Sequence, residues 1–267
     1  MMAEDDATLA RRLAAEAGAL LLDRWSRRST LAVTTKRAGD FVSDADRAAE
    51  DHIRAGLSAA RPDDGWLGEE TGAAAGTARR WIVDPLDGTT NFLRGIGHWC
   101  VSIALEEAGS LVLGVVHDPV RGETFAARRA EGATLNGERI GVSRTGDLSA
   151  ALFGTGIPFG GMPHIDDHAA DIARLMPRCA GVRRMGAAAL DLAYVAAGRL
   201  DGFWERRLQP WDIAAGLVLL REAGATVEGW MPGEAPEDTG TVVAATPEVF
   251  PAFAGTLRGA DVPPPGR

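Results

Sequence analysis

Asp84 and Asp87 carry the densest chemistry in the chain, within the run Trp81-Ile82-Val83-Asp84-Pro85-Leu86-Asp87-Gly88-Thr89-Thr90-Asn91-Phe92. The apolar run Trp81-Ile82-Val83 reads as a buried strand that delivers Asp84 to its tip. Pro85 bends the chain, so Asp87 can face the same point. Two convergent carboxylates suit a hard divalent cation, magnesium above all, which prefers oxygen ligands and keeps several waters. Gly88 lets backbone approach a ligand closely, and Gly88-Thr89-Thr90 offers amides and hydroxyls to a phosphate, especially where a helix starts. The same spacing also fits a turn capped by Asp and Thr.

Two further acids sit where they could join this pair. Glu69 follows Trp66-Leu67-Gly68 at a strand tip, where it reads as a ligand or as a solvated loop acid. Asp212 opens an apolar helix after Pro210-Trp211, and taken alone it reads as an N-cap. A carboxylate can do both jobs, bonding backbone with one oxygen and metal with the other. Asp40, Asp44 and Asp46 lie near Lys36, but the glycine and distal glutamate of a calcium loop are missing, and Asp44 reads as a helix cap. No phosphate loop of the G-x-x-x-x-G-K-[ST] type and no G-x-S-x-G elbow occurs. His52, His98, His117, His164 and His168 form no metal-binding pair and read as scattered surface or core residues.

The elements that must position these acids follow from periodicity. Helices are expected over 7–25, capped by Asp6 or Thr8, and from Ser43 or Asp44 to Arg61-Pro62. Strands are expected at 101–105 and 111–117 as a hairpin, and at 123–127, with a tight turn at Asn136-Gly137. The second half alternates strand 152–155, helix 166–178, strand 182–185, helix 187–197, strand 202–205, helix 212–223, and strands 226–228 and 241–245. Thr246-Pro247-Glu248 is expected to open a last helix, and the proline-rich tail, 259–267, to fray. This interleaving predicts an α/β (α+β) chain folded as one unit over 1–267, with a soft internal division near 145–150.

Composition narrows the function. The chain has 267 residues, with 28 Lys plus Arg against 37 Asp plus Glu and a formal net charge of −9. That balance argues against direct nucleic-acid binding by broad phosphate neutralisation. Four of the negative charges are Glu69, Asp84, Asp87 and Asp212, the acids that could share one site. Cys100 and Cys179 stand far apart outside any C-x-x-C pattern, which excludes a disulfide framework and a zinc site and points to the cytoplasm. No apolar run approaches a bilayer span. Lys36 is the only lysine, either a position where arginine is not acceptable or an unreplaced surface residue.

Taken together, these motifs resemble the inositol monophosphatase family of magnesium-dependent, lithium-sensitive phosphatases, and its bacterial SuhB-like members in particular. The resemblance rests on Gly68-Glu69-Glu70, on Trp81 through Phe92, and on Trp211-Asp212-Ile213-Ala214-Ala215-Gly216 with Glu222-Ala223-Gly224 behind it. It implies a layered αβαβα sandwich, usually a homodimer. It further implies two or three Mg2+ ions held by Glu69, Asp84, Asp87, Asp212 and the Leu86 carbonyl, with Asp46 and Lys36 near the most weakly held ion. Thr89, supported by Glu69, would position and help deprotonate the attacking water, while Gly88 and Thr89 hold the phosphate.

The resemblance also bears on the substrate, a small phosphate monoester. Gly186-Ala187-Ala188 and Glu205 correspond to the family's contacts with substrate hydroxyls, and an acceptor-only carboxylate suits a ring bearing several donors. Ala187 stands where many inositol-type members have Ser or Thr, so backbone alone remains there. Inositol-1-phosphate is the expected substrate. Histidinol phosphate, fructose-1,6-bisphosphate or a broader set of sugar phosphates are the alternatives, and a protein partnership in transcription antitermination is the non-enzymatic one.

Overall fold

The computed structural model describes residues 4–28, 33–37, 40–157 and 165–259, with backbone alone for 33–37 and 40–43. Its large sheet has eight strands in the order β10-β9-β8-β7-β6-β5-β3-β4. These are β3 (Gly65–Gly68), β4 (Gly72–Ala74), β5 (Arg79–Asp87), β6 (Cys100–Glu107), β7 (Ser110–Asp118), β8 (Glu123–Arg128), β9 (Gly132–Leu135) and β10 (Glu138–Ile140). A second sheet has the order β12-β11-β13-β15-β14, built from β11 (Leu152–Thr155), β12 (Gly181–Arg183), β13 (Gly202–Glu205), β14 (Thr226–Glu228) and β15 (Val242–Ala245). A small hairpin, β1 (Val33–Arg37) with β2 (Asp40–Ser43), precedes both.

Helices fill three layers around these sheets, which gives the expected αβαβα sandwich. The alternation of β5 and β6 shows how. Trp81, Val83, Val101, Ile103 and Leu105 face outward onto α1 (Asp6–Ser26) and α2 (Asp44–Ala60). Ile82, Cys100 and Ala104 face inward onto α5 (Ala188–Ala196) and α6 (Pro210–Glu222). Beyond the small sheet, α4 (Ile165–Leu175) and α8 (Phe250–Leu257) close a third core around Phe153, Trp204 and Phe253. The two short helices are α3 (Thr89–Arg94) and α7 (Pro236–Thr239).

Layer position explains helix composition. Outer helix α1 buries one stripe, Leu9, Leu13, Ala17 and Leu21, and leaves the opposite face wet. Helices α5 and α6 lie between two sheets, so Leu190 through Ala196 and Ile213 through Leu220 are buried all round. An unbroken apolar helix in an acidic chain is thus a central-layer helix, and its polar residues are left for its ends.

Several expected boundaries move. Asp5, rather than Asp6 or Thr8, caps α1, its carboxylate accepting from the amides of Ala7 and Thr8 at 3.0 and 3.1 Å. The last helix begins at Phe250, because Thr246 closes a tight turn in which its carbonyl accepts from the amides of Val249 and Phe250. The expected helix over 166–178 ends at Leu175 and tightens into one 3₁₀ turn, Met176–Arg178, at Pro177. Strand β12 stops at Arg183. Asn136 and Gly137 both take positive φ in the expected tight turn. Residues 260–267 of the tail and the side chain of Lys36 lie outside what is described.

Candidate active site

The carboxylates meet where strand tips of the large sheet face the first turns of the two central helices. Strands β3 and β5 run parallel, so their C-terminal ends lie side by side. Glu69 continues that ladder past β3, its amide donating to the Val83 carbonyl at 3.2 Å. On the other side of β5, Asp84 lies opposite Ser102 and Asp87 opposite Cys100. Three steps on β5 against two on β6 is a β-bulge, centred on Pro85, which has no amide to give the ladder. In a regular strand, residues three apart point to opposite faces. The extra residue turns Asp87 to the same inner face as Asp84, which is how Asp-Pro-Leu-Asp becomes a pair.

Three of the four carboxylates are held by backbone amides. Leu86 donates its amide to Asp84 Oδ1 at 2.9 Å. Ala189, in the first turn of α5, donates to Asp87 Oδ2 at 2.8 Å, so that carboxylate takes one of the amides a helix start leaves unpaired. Asp212 is the third residue of α6 rather than its cap: Gln209 precedes the helix and donates its amide to Asp212 Oδ2 at 2.7 Å. The Ser102 hydroxyl reaches the Trp211 carbonyl at 3.4 Å and ties this helix start to β6.

Burial and like charge dominate the surroundings of Asp84 and Asp87. Burial, together with the neighbouring Glu69, Asp87 and Asp212, pushes the Asp84 carboxyl well above the usual carboxylate range, and Glu69 stands within hydrogen-bond reach of it. Burial raises Asp87 to about 7, with Asp191 and Glu69 adding to the rise while the Ala189 amide and His98 oppose it. Glu205, at the end of β13, is raised well above its ordinary value by burial and by Asp212, Asp191 and Asp87, with Arg184 opposing. A Cβ at residue 156 would stand 2.0 Å from the Glu205 carboxyl carbon, so glycine there leaves room for the carboxylate in this position.

Thr89 begins α3 after Gly88, whose φ of +92° and whose closeness to the His98 carbonyl, 3.0 Å from an added Cβ, both require glycine. The Thr89 hydroxyl lies 3.0 Å from Asp46 Oδ1 and 3.1 Å from the Leu86 carbonyl, so its proton is directed at those acceptors. Asp46 is buried on α2, and its described role is to hold Thr89. Gly186, also at positive φ, leads into Ala187 and Ala188 at the start of α5. The Ala187 methyl is buried, and a Cβ on Gly88 would stand 3.1 Å from it. This segment therefore packs against Gly88 and leaves backbone as its polar surface.

The donor set fits magnesium chemically, being all oxygen and mutually repulsive in the absence of a cation. Among the described residues no three His, Cys, Asp or Glu side chains close around one point. Asp87 Oδ1 makes no hydrogen bond among the described residues, and so remains a donor.

Sequence reasoning passed over Glu50, Asn91, His98 and Asp191. Glu50 is fully buried on α2 and accepts from the amides of Glu70 and Thr71, both at 2.8 Å, fixing the turn that carries Glu69. Its signal was available: Asp46 and Glu50, four apart, interrupt the buried stripe Ala45, Ala49, Ile53, Leu57. His98 is a core histidine, buried, with Nε2 2.8 Å from Asp191 Oδ1, a partner that its sequence neighbourhood does not announce.

This geometry has close counterparts. The inositol monophosphatase family model matches residues 2–260. The chain is 49% identical over 233 residues to the inositol-1-monophosphatase of Mesorhizobium japonicum, covering 86% of this chain and 88% of that one. It is 43% identical to the Nus factor SuhB of Pseudomonas aeruginosa over 94% of both chains. The crystal structure of the extragenic suppressor protein suhB from Bartonella henselae superposes with a TM-score of 0.91 at 41% identity, covering 94% of this chain and 97% of that one. With the same motifs, the same layers and a match along nearly its whole length, the chain belongs to the inositol monophosphatase family.

Proposed function

We propose that this chain hydrolyses inositol-1-phosphate to inositol and phosphate with two or three Mg2+ ions at the Glu69, Asp84, Asp87 and Asp212 cluster. The observation that carries this reading is the grouping of Glu69, Asp87 and Asp212 around buried Asp84, where burial and like charge raise the Asp84 carboxyl well above the usual carboxylate range. Glu69, Asp84, Asp87, Asp212 and the Leu86 carbonyl would hold the ions, with Asp46, and Lys36 from β1, near the weakest. Magnesium, when bound, supplies the charge that neutralises the phosphate dianion, lowers the pKa of water and stabilises the leaving alkoxide.

The chain's own groups do the rest. The Thr89 hydroxyl directs its proton at Asp46 and the Leu86 carbonyl, which leaves its lone pairs to accept from the attacking water. Glu69, beside Asp84, is placed to take that water's proton. Gly88 and Thr89 hold the phosphate through backbone and hydroxyl. Glu205 and the backbone of Gly186, Ala187 and Ala188 meet the ring hydroxyls of the alcohol. The family resemblance supports a homodimer, and the free thiols of Cys100 and Cys179 support a cytoplasmic setting. No helix among the described residues is long and apolar enough to cross a membrane.

The test is phosphate release from inositol-1-phosphate, with histidinol phosphate and fructose-1,6-bisphosphate as competitors. We expect the highest kcat/KM on inositol-1-phosphate, and loss of turnover with EDTA that magnesium restores. Turnover that survives EDTA, or that is untouched by Asp87→Asn, would overturn the metal-site reading. The Nus factor name of the Pseudomonas relative favours a second reading, a protein partner in a transcription complex. A pull-down with transcription factors, repeated on Asp87→Asn, separates the two.

A further inference from the structure

The site is assembled from two stretches about a hundred residues apart. One, residues 84–91, carries the phosphate chemistry. The other, 185–191, carries the segment proposed to meet the alcohol. Two hydrogen bonds of 2.8 Å join them directly, and His98, which lies outside both, links them through two more. Asp87 Oδ2 accepts from the Ala189 amide at 2.8 Å. Asn91 Nδ2 donates to the Met185 carbonyl and to the His98 carbonyl, each at 2.8 Å, so its two N–H groups meet two carbonyls. His98 Nε2 lies 2.8 Å from Asp191 Oδ1. Asp191 in turn donates its amide to the Ala187 carbonyl at 2.9 Å, in the first turn of α5. Asn91, His98 and Asp191 are 6%, 6% and 1% exposed, so none is placed to touch a substrate.

Buried polar side chains are costly unless they are fully bonded, and a bonded network fixes one arrangement of the segments it joins. We propose that Asn91, His98 and Asp191 are positioning residues that set the spacing between the phosphate centre and the 186–188 segment. They thereby decide which alcohol is accepted rather than whether phosphate is released. This rests on the reading of 186–188 as the alcohol-facing segment. It explains why the histidine and its carboxylate partner sit behind the substrate-facing backbone, and why Ala187 needs no hydroxyl: register comes from behind the segment.

The experiment compares inositol-1-phosphate, whose ring must be registered, with p-nitrophenyl phosphate, which carries no ring hydroxyls. His98→Ala is expected to lower kcat/KM on inositol-1-phosphate by about tenfold to a hundredfold, chiefly through KM, and to lower it several-fold less on p-nitrophenyl phosphate. His98→Gln, which keeps an amide near the Nε2 position, should recover part of the loss. Asn91→Ser supplies a second variant, with the same expectation, where His98→Ala fails to fold. An equal fall on both substrates, or no fall on either, would overturn the proposal. If the wild-type protein turns over p-nitrophenyl phosphate but not inositol-1-phosphate, the inositol reading alone is lost. The variants are then compared on the best alcohol phosphate from the competition series, where the same ratio decides.

Discussion

Two groups of buried or half-buried acids in this molecule have opposite surroundings. Asp171, on α4, is fully buried and bonded by Arg174 at 2.6 Å and by Arg206, which also stacks on Trp230 at 3.6 Å. Asp6, at the start of α1, accepts from Arg61 at 2.7 Å and Arg79 at 2.8 Å. Asp84 is buried as deeply, yet its neighbours are Glu69, Asp87 and Asp212. The first group is neutralised inside the protein and holds the fold together. The second sits among like charges, so its electrostatic cost is carried by the folded chain, and under the proposed function a cation from outside would relieve it. An acid's burial says nothing about its role; the sign of what surrounds it does.

Substituting one member of each group gives the largest contrast. Asp84→Asn is expected to lower phosphatase kcat/KM by at least about a hundredfold. Yet it should stabilise the EDTA-treated protein at pH 7, raising Tm by about 2–4 °C, which corresponds to about 1 kcal/mol at this size. The sign follows from the raised carboxyl: such a group works against folding above its unfolded pKa of about 4 and contributes nothing below it. The gain should therefore vanish in acid. Asp171→Asn should do the reverse, leaving Arg206 without its buried partner at a cost of about 3 kcal/mol while the metal site keeps its ligands. Urea unfolding of both variants with and without magnesium checks this, and a destabilised metal-free Asp84→Asn would erase the distinction.

Asp6 offers a smaller and pH-resolved version. Burial works to raise its carboxyl, but hydrogen bonds from Arg79 and Arg61 outweigh burial and hold it below the usual range. Its contribution is present above the unfolded pKa and disappears as pH falls through the lower folded one. Asp6→Asn should cost about 1–2 kcal/mol at pH 7, and the deficit against wild type should close below about pH 4. A deficit that persists unchanged in acid would mean that shape, not charge, holds the start of α1.

Much of this was legible in the chain itself, for reasons that differ by residue. The order of helices and strands followed from periodicity, whereas the αβαβα layering came from the family resemblance. Asp84 and Asp87 were legible because their spacing is local, although the bulge that turns them to one face depends on the register with β6. Asp212 was placed at a helix start and proved to sit at its third residue, since Gln209 takes the cap position. His98 and Asp191 were not legible: they lie 93 positions apart, and nothing in either neighbourhood marks the other. Local chemistry can be read from spacing, whereas the contacts that register one segment against another arise only on folding.

The loop from β13 to α6 supplies the smallest effect and the finest test of how the unbalanced site is built. It carries Glu205 at one end and Asp212 at the other, and between them Arg207 takes φ +61°. A residue with a Cβ in this left-handed region costs about 1–2 kcal/mol, which glycine avoids. Glycine adds freedom to the unfolded chain worth about 0.4–1 kcal/mol, so Arg207→Gly should stabilise the protein by at most about 1 kcal/mol. If the loop's shape alone sets the distance between Glu205 and Asp212, KM for inositol-1-phosphate stays at the wild-type value while Tm rises. A Tm gain bought with a higher KM would instead show that the strain holds Glu205 against the other acids. The site would then owe its like-charge crowding to backbone as well as to burial.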